Sequence, residues 1–291
     1  MRNAAFIFYF FLMTVAPAVA QVFTARQTAL GGIKTTTTSP IAAGNPAAGG
    51  RWEGFSVYFA HHNLFTGSGI SRLATGGKYA MGRAGSFQIN FRRTGLESFH
   101  HQLLTADYAH PLGDKIALGA GILFFSRRAA GYEPARHLSF RMGLQLAVSS
   151  SVQAGILVWN PIPDRTKAPA RRFDSGMAAG IAWQLPALTT FLEIEQPQNT
   201  PFEIRWGADY RPSSQISILL GAATAQRTGR LSLGAQYHLA KATITATTVL
   251  HNRLPVSYSA GLSYRLIKKQ ESSGQPSAGR LTSGRNIRRP E

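Results

Sequence analysis

The sequence contains no cysteine. That excludes disulfides, thiolate zinc sites and a lipid anchor on a cleavage-site cysteine. Beyond residue 20 it has no apolar run of about 18 residues, so it offers no helix able to cross a bilayer. Acidic residues are also scarce, with 13 Asp and Glu against 31 Lys and Arg and a formal net charge of +18. Such an excess can serve nucleic acid when it forms one stripe. Here it is spread over turns, strands and the tail of an exported chain, so no nucleic-acid partner is expected. Acidic partners outside the cytoplasm suit it better: outer-membrane lipid, lipopolysaccharide or an acidic protein surface.

What is present starts with a leader. Arg2 precedes the apolar stretch Ala4 to Val15, and Ala18-Val19-Ala20 offers small residues to a signal peptidase. Residues 1–20 read as a signal peptide, cut before Gln21. The next segment, "ARQTALGGIKTTTTSPIAAGNPAAGG" (25–50), has two Gly clusters, four consecutive Thr and an Asn-Pro pair. It has too few large apolar residues for a core helix or strand.

From residue 52 the chain alternates. Leu138, Phe140, Met142 and Leu144 interleave with Ser139, Arg141, Gly143 and Gln145. Val256, Tyr258, Ala260, Leu262 and Tyr264 interleave with Ser257, Ser259, Gly261, Ser263 and Arg265. A strand sends successive side chains to opposite faces, so each segment has one apolar and one polar face. Fourteen strands are expected, at 52–60, 71–80, 84–93, 99–110, 114–126, 136–148, 151–159, 173–184, 187–195, 200–211, 214–224, 229–239, 241–250 and 255–265. A soluble sandwich also alternates. Strands of about 9–12 residues and aromatics at the ends of apolar faces favour a transmembrane barrel. So does loop parity: connections after even strands are tight, those after odd strands usually longer. The fold class expected is an all-β transmembrane antiparallel barrel in the cell outer membrane. A secreted sandwich or solenoid is the alternative.

In this barrel the polar faces would form a wet lumen carrying Arg92, Arg141, Glu203, Arg205, Asp209 and Arg211. The expected organisation is a hatch or plug at 21–51, a barrel at 52–265 and a disordered basic periplasmic tail at 266–291. "DRTKAPARR" (164–172) would be an external basic loop, with Arg165, Lys167, Arg171 and Arg172 available to lipopolysaccharide phosphates or an acidic partner. No enzyme is expected and no cofactor. Adjacent histidines such as His61-His62 and His100-His101 point to opposite faces of a strand, and no metal-binding or nucleophile-elbow motif occurs.

"ARQTALGG" followed by "NPAA" resembles the N-terminal signature of the PorV/PorQ group of outer-membrane proteins, within the FadL-like barrels. The matching residues are Ala25, Arg26, Gly31, Gly32, Asn45 and Pro46. The resemblance implies fourteen strands and an N-terminal hatch. It also implies service in the type IX secretion system of Bacteroidota, with secretion-system proteins or secreted cargo as partners. The alternative it leaves is a FadL-like channel for hydrophobic or small solutes. The chain departs from the group in its short external loops, in Thr35 to Thr38 standing where an acidic pair is usual, and in its basic tail.

Overall fold

The computed structural model describes residues 24–36, 44–48, 53–162, 174–198, 200–226 and 228–266. The leader, Thr37 to Pro40, the basic-loop cations Arg165, Lys167, Arg171 and Arg172, and the tail beyond Leu266 lie outside the described residues.

Fourteen antiparallel strands close into one barrel. They are β1 (Glu53–Asn63), β2 (Ser71–Met81), β3 (Ser86–Gly95), β4 (Phe99–Leu112), β5 (Ile116–Ala129), β6 (Ala135–Ala147) and β7 (Val152–Trp159), then β8 (Gly176–Gln184), β9 (Leu188–Pro197), β10 (Glu203–Tyr210), β11 (Ile216–Ala225), β12 (Thr228–His238), β13 (Ala242–His251) and β14 (Ser257–Leu266). Each strand pairs with its sequence neighbours, and β1 meets β14 from Phe55↔Leu266 to Asn63↔Tyr258. Closure leaves no strand edge unpaired, the condition for placing backbone amides in hydrocarbon. The strand count and the alternating faces agree with the sequence. Strand ends differ from the expectation by at most three residues, as is usual where ladders fray into turns.

The apolar face points outward. Phe87, Ile89, Leu138, Met142, Leu231, Leu233, Tyr258 and Leu262 are all exposed, whereas Ser86, Gln88, Asn90, Arg92, Arg141, Ser232, Gln236 and Ser257 are buried. A soluble sandwich would reverse this pattern, because its large apolar side chains go inside. The connections at one end are short: 82–85, 113–115, 148–151, 185–187, 211–215 and 239–241. The other end carries 64–70, 96–98, 130–134, 160–175, 198–202, 226–227 and 252–256. Two of these, 96–98 and 226–227, are as tight as any turn opposite, so the parity is a tendency of the two ends.

Near the short-turn end, cross-strand pairing lines up Phe55, Tyr79, Phe87 and Tyr108 on β1 to β4. Phe87 and Tyr108 have ring centroids 4.8 Å apart. Trp183, Tyr210, Tyr237 and Tyr264 continue this exposed aromatic band on later strands. Amphipathic rings favour the boundary between hydrocarbon and water, so the band marks where the apolar belt stops.

Candidate functional site

Residues 24–36 and 44–48 lie inside the barrel. A single helical turn, α1 (Ala25–Ala29), opens on a capping box: the Thr24 hydroxyl accepts from Gln27 N and the Gln27 side chain accepts from Thr24 N. The pair satisfies two amides that a five-residue helix leaves orphaned. Gly31 and Gly32 follow with φ of 71° and 90°, a left-handed turn that other residues adopt only with strain. That turn frees the chain from the helix and sends it across the lumen.

The wall is cut to receive this segment. Eight lumen-facing glycines sit on eight strands, and a Cβ on any of them would meet the hatch. At Gly119 it would overlap Ala47 N, at Gly143 Asn45 Oδ1, at Gly155 Thr35 O, at Gly180 Thr35 Oγ1 and at Gly221 Gly31 N. At Gly207, Gly234 and Gly261 it would press on Leu30 O, Ala29 Cβ and Ala25 Cβ, at 3.0, 2.7 and 2.8 Å. Glycine is disfavoured in strand interiors, so repeated use at lumen positions needs a reason. Close approach of a second backbone supplies it.

Charged and polar side chains then fasten the hatch. The Glu193 carboxylate accepts from Lys34 N (2.9 Å), Thr35 N (2.8 Å) and the Thr35 hydroxyl (2.7 Å). Arg205 donates to Glu193 (3.0 Å), Glu203 (2.7 Å) and Gly32 O (3.2 Å), and it pairs with Glu195. Lys34 reaches Glu195 at 2.6 Å with its ammonium 4.6 Å from the Trp159 ring centre. Arg230 joins Glu203 (2.6 Å) to Gly31 O (3.3 Å). Three carboxylates face three cations, so the cluster is neutral as a whole. Isolated charges could not stay in such a site, and matched, hydrogen-bonded ones can. Burial pushes the Lys34 ammonium down to about 8, against the pull of Glu195 and Glu193.

The rest of the hatch is held in the same manner. Arg26 pairs with Asp209 at 2.8 Å. Arg141 grips Asp107 with two nitrogens and donates to Gly44 O at 2.9 Å. The buried Asn45 amide donates to Thr35 O, Leu144 O and Ile156 O, while its Oδ1 accepts from Ala47 N. Pro46 follows, and Lys78 donates to Ala48 O at 3.2 Å.

The residues singled out for the hatch and the lumen are among those described, whereas the basic-loop cations Arg165, Lys167, Arg171 and Arg172 are not. Ala25, Arg26, Gly31, Gly32, Asn45 and Pro46 line one path through the lumen. Arg141, Arg205, Asp209 and Glu203 touch the hatch or the cluster that holds it. Arg92 is buried on the lumen side of β3. Arg211 differs only in its place, at the rim of the lumen and not within a strand. It lies beyond the end of β10 in an exposed turn and reaches back to Ser217 at 3.4 Å, because the strand stops at Tyr210. Arg92, Arg141 and Arg205, expected on the lumen face, are buried there. Sequence reading missed Glu193, Glu195, Asp107 and Lys34. The signal was available in "FLEIEQP", where Glu193 and Glu195 fall on the inward parity of β9, alternating with outward Leu192 and Ile194.

On the other side of the hatch, toward the longer connections, the lumen face of β1 to β8 is mixed, with His62, Arg92, Thr94 and His137 buried beside apolar side chains. Tyr58, Leu103, Leu123, Phe125, Leu157 and Trp159 form one buried cluster there. Among the described residues no three of His, Asp and Glu are grouped as a metal site requires.

No protein-family model matches the chain, and no curated sequence matches it. Solved structures do. The monoaromatic hydrocarbon channel CymD aligns over 86% of this chain and 98% of its own, with a TM-score of 0.61 and 11% identity. The Pseudomonas putida toluene transporter TodX aligns over 84% and 98%, at 0.59 and 10%. A Pseudomonas aeruginosa FadL homologue aligns over 85% and 98%, at 0.61 and 10%. At such identities the likeness is one of fold, and that fold is FadL-like.

Proposed function

We propose that this protein is a non-catalytic channel of the cell outer membrane that passes hydrophobic or small solutes and is gated by its own N-terminal segment. The observation that carries the reading is the hatch itself, bound across the lumen by buried ion pairs and packed against a buried apolar cluster on the lumen wall. Leu103, Leu123, Phe125, Leu157 and Trp159 are buried with the hatch in place and would give an apolar solute a surface once the hatch moves. CymD and TodX, named for hydrocarbon or toluene passage, are similar in fold. Short turns would then face the periplasm and longer connections the outside. The test is flux. Liposomes containing the purified protein should admit a monoaromatic probe faster than protein-free liposomes, and a lumen variant such as Leu157→Asp should remove the excess. Equal uptake by all three would end the proposal.

A second reading rests on the resemblance of Ala25, Arg26, Gly31, Gly32, Asn45 and Pro46 to the PorV/PorQ signature. It makes the barrel an accessory of type IX secretion with a protein partner. It predicts that loss of the gene stops secretion of proteins bearing a type IX sorting domain, with solute uptake unaffected.

A further inference from the structure

The outer surface of the barrel carries few charges, and they are not scattered. Among the strand side chains described, the cations that point outward are Arg93 on β3, Arg128 on β5 and Arg136 on β6. All three are exposed, and all lie toward the end with the longer connections. The ladder places them together. Arg93 pairs with Gln102, Gln102 with Ser126 and Ser126 with Arg136, so one polar row crosses four neighbouring strands. Arg128 stands beside His100, one outward position beyond that row. With strands about 4.8 Å apart, the row spans roughly 14 Å. None of the three arginines makes an ion pair among the described residues. Glu97 and Glu133 sit in the connections beyond the strand ends.

Directly beneath the row the surface becomes apolar. Leu104, Phe124 and Leu138 are exposed there, and Phe124 pairs with Leu138. A guanidinium on the lipid face costs about 2–4 kcal/mol at mid-bilayer and falls to about 0–1 kcal/mol at the interface. Three of them within one outward position of a single row on β3, β5 and β6 suit an anion at that boundary, and Arg is the side chain that meets phosphate bidentately. An occupant matching both parts needs phosphates at the head and acyl chains below.

We propose that Arg93, Arg128 and Arg136 form a docking site for the phosphorylated glycolipid of the outer leaflet, lipopolysaccharide, through its lipid A phosphates. This rests on the outer-membrane placement above, with the arginine end outward. The site lies on the wall, away from the lumen, so it binds a resident lipid and not the transported solute.

Native mass spectrometry of the detergent-purified full chain, mixed with lipid A, tests this. Wild type should retain lipid A and should discard lipid A stripped of its phosphates. The triple variant R93Q/R128Q/R136Q should retain at least tenfold less, and each single variant about two- to threefold less. Heat-modifiable migration confirms folding, and if the triple variant fails that control the single variants decide. Equal retention by wild type and variants, or equal retention of the stripped lipid, overturns the site. Displacement of lipid A by inorganic phosphate alone would show a free-anion site and also overturns it. Orientation is read separately. A cysteine at Gly67 that stays unlabelled on intact cells, alongside phosphate-dependent lipid A retention, refutes the outer-membrane placement without touching the binding result.

Discussion

Replacing Glu193 with Gln should open the hatch without harming the barrel. One carboxylate oxygen of Glu193 accepts three hydrogen bonds from Lys34 and Thr35, and the other accepts Arg205. Glutamine has nearly the same shape but only one acceptor oxygen. If that oxygen faces the hatch, the new amide abuts Arg205; if it faces Arg205, the amide abuts three donors. Either way a set of charge-assisted bonds is lost, each worth about 1.5–3 kcal/mol and not additive. A net loss of about 2–4 kcal/mol shifts the hatch equilibrium roughly 30- to 1000-fold, at about 1.4 kcal/mol per tenfold. Because the chain has no cysteine, a single Cys at Thr36 is a clean reporter. Thr36 is fully buried in the lumen, so its thiol reacts only when the hatch leaves. In reconstituted protein the labelling rate should rise by that factor in Glu193→Gln. Thr35→Ser, which keeps the hydroxyl, should leave it unchanged. Unaltered labelling in a Glu193→Gln barrel that still shows heat-modifiable migration would refute the latch.

Four further outcomes are expected. Asn45→Ala strands Ala47 N in a buried site and should destabilise hatch docking by about 1–3 kcal/mol, read as increased conductance in planar bilayers. Gly143→Leu should expel the hatch by overlap with Asn45 and raise conductance likewise, while Gly229→Ala, with open space around it, should change nothing. Leu262, outward and paired with Phe59 and Ile244, should lose about 2–4 kcal/mol on replacement by Arg, and inward Ser263→Arg should be mild in the same urea titration. Conductance should fall as pH rises from 8 to 10. Lys34, at about 8 when buried and at its ordinary 10.5 when released, sheds a proton on docking, so alkali favours the closed state; Lys34→Met should flatten the profile.

Strand parity is a local property, and local properties were legible. Alternation in segments such as Leu138 to Gln145 set which side chains meet lipid, and regular spacing of such segments set fourteen strands. The hatch was legible as a segment with no face of its own and Gly31-Gly32 as its turn. Its contacts were not. Glu193 lies 158 residues from Thr35, and Asn45 lies 111 from Ile156. Nothing in the local pattern of β9 separates a glutamate that hydrates a pore from one that holds two backbone amides. The eight glycines were equally mute, since each alone reads as a weak spot in a strand. Only closure of the barrel brings them to one level, where the missing side chains leave room for a second backbone. Sequence alone therefore determined the wall, because a strand's faces follow from a period of two residues. The tertiary structure decided that the lumen is filled and by which bonds, because filling it depends on residues from nearly every strand meeting at one place.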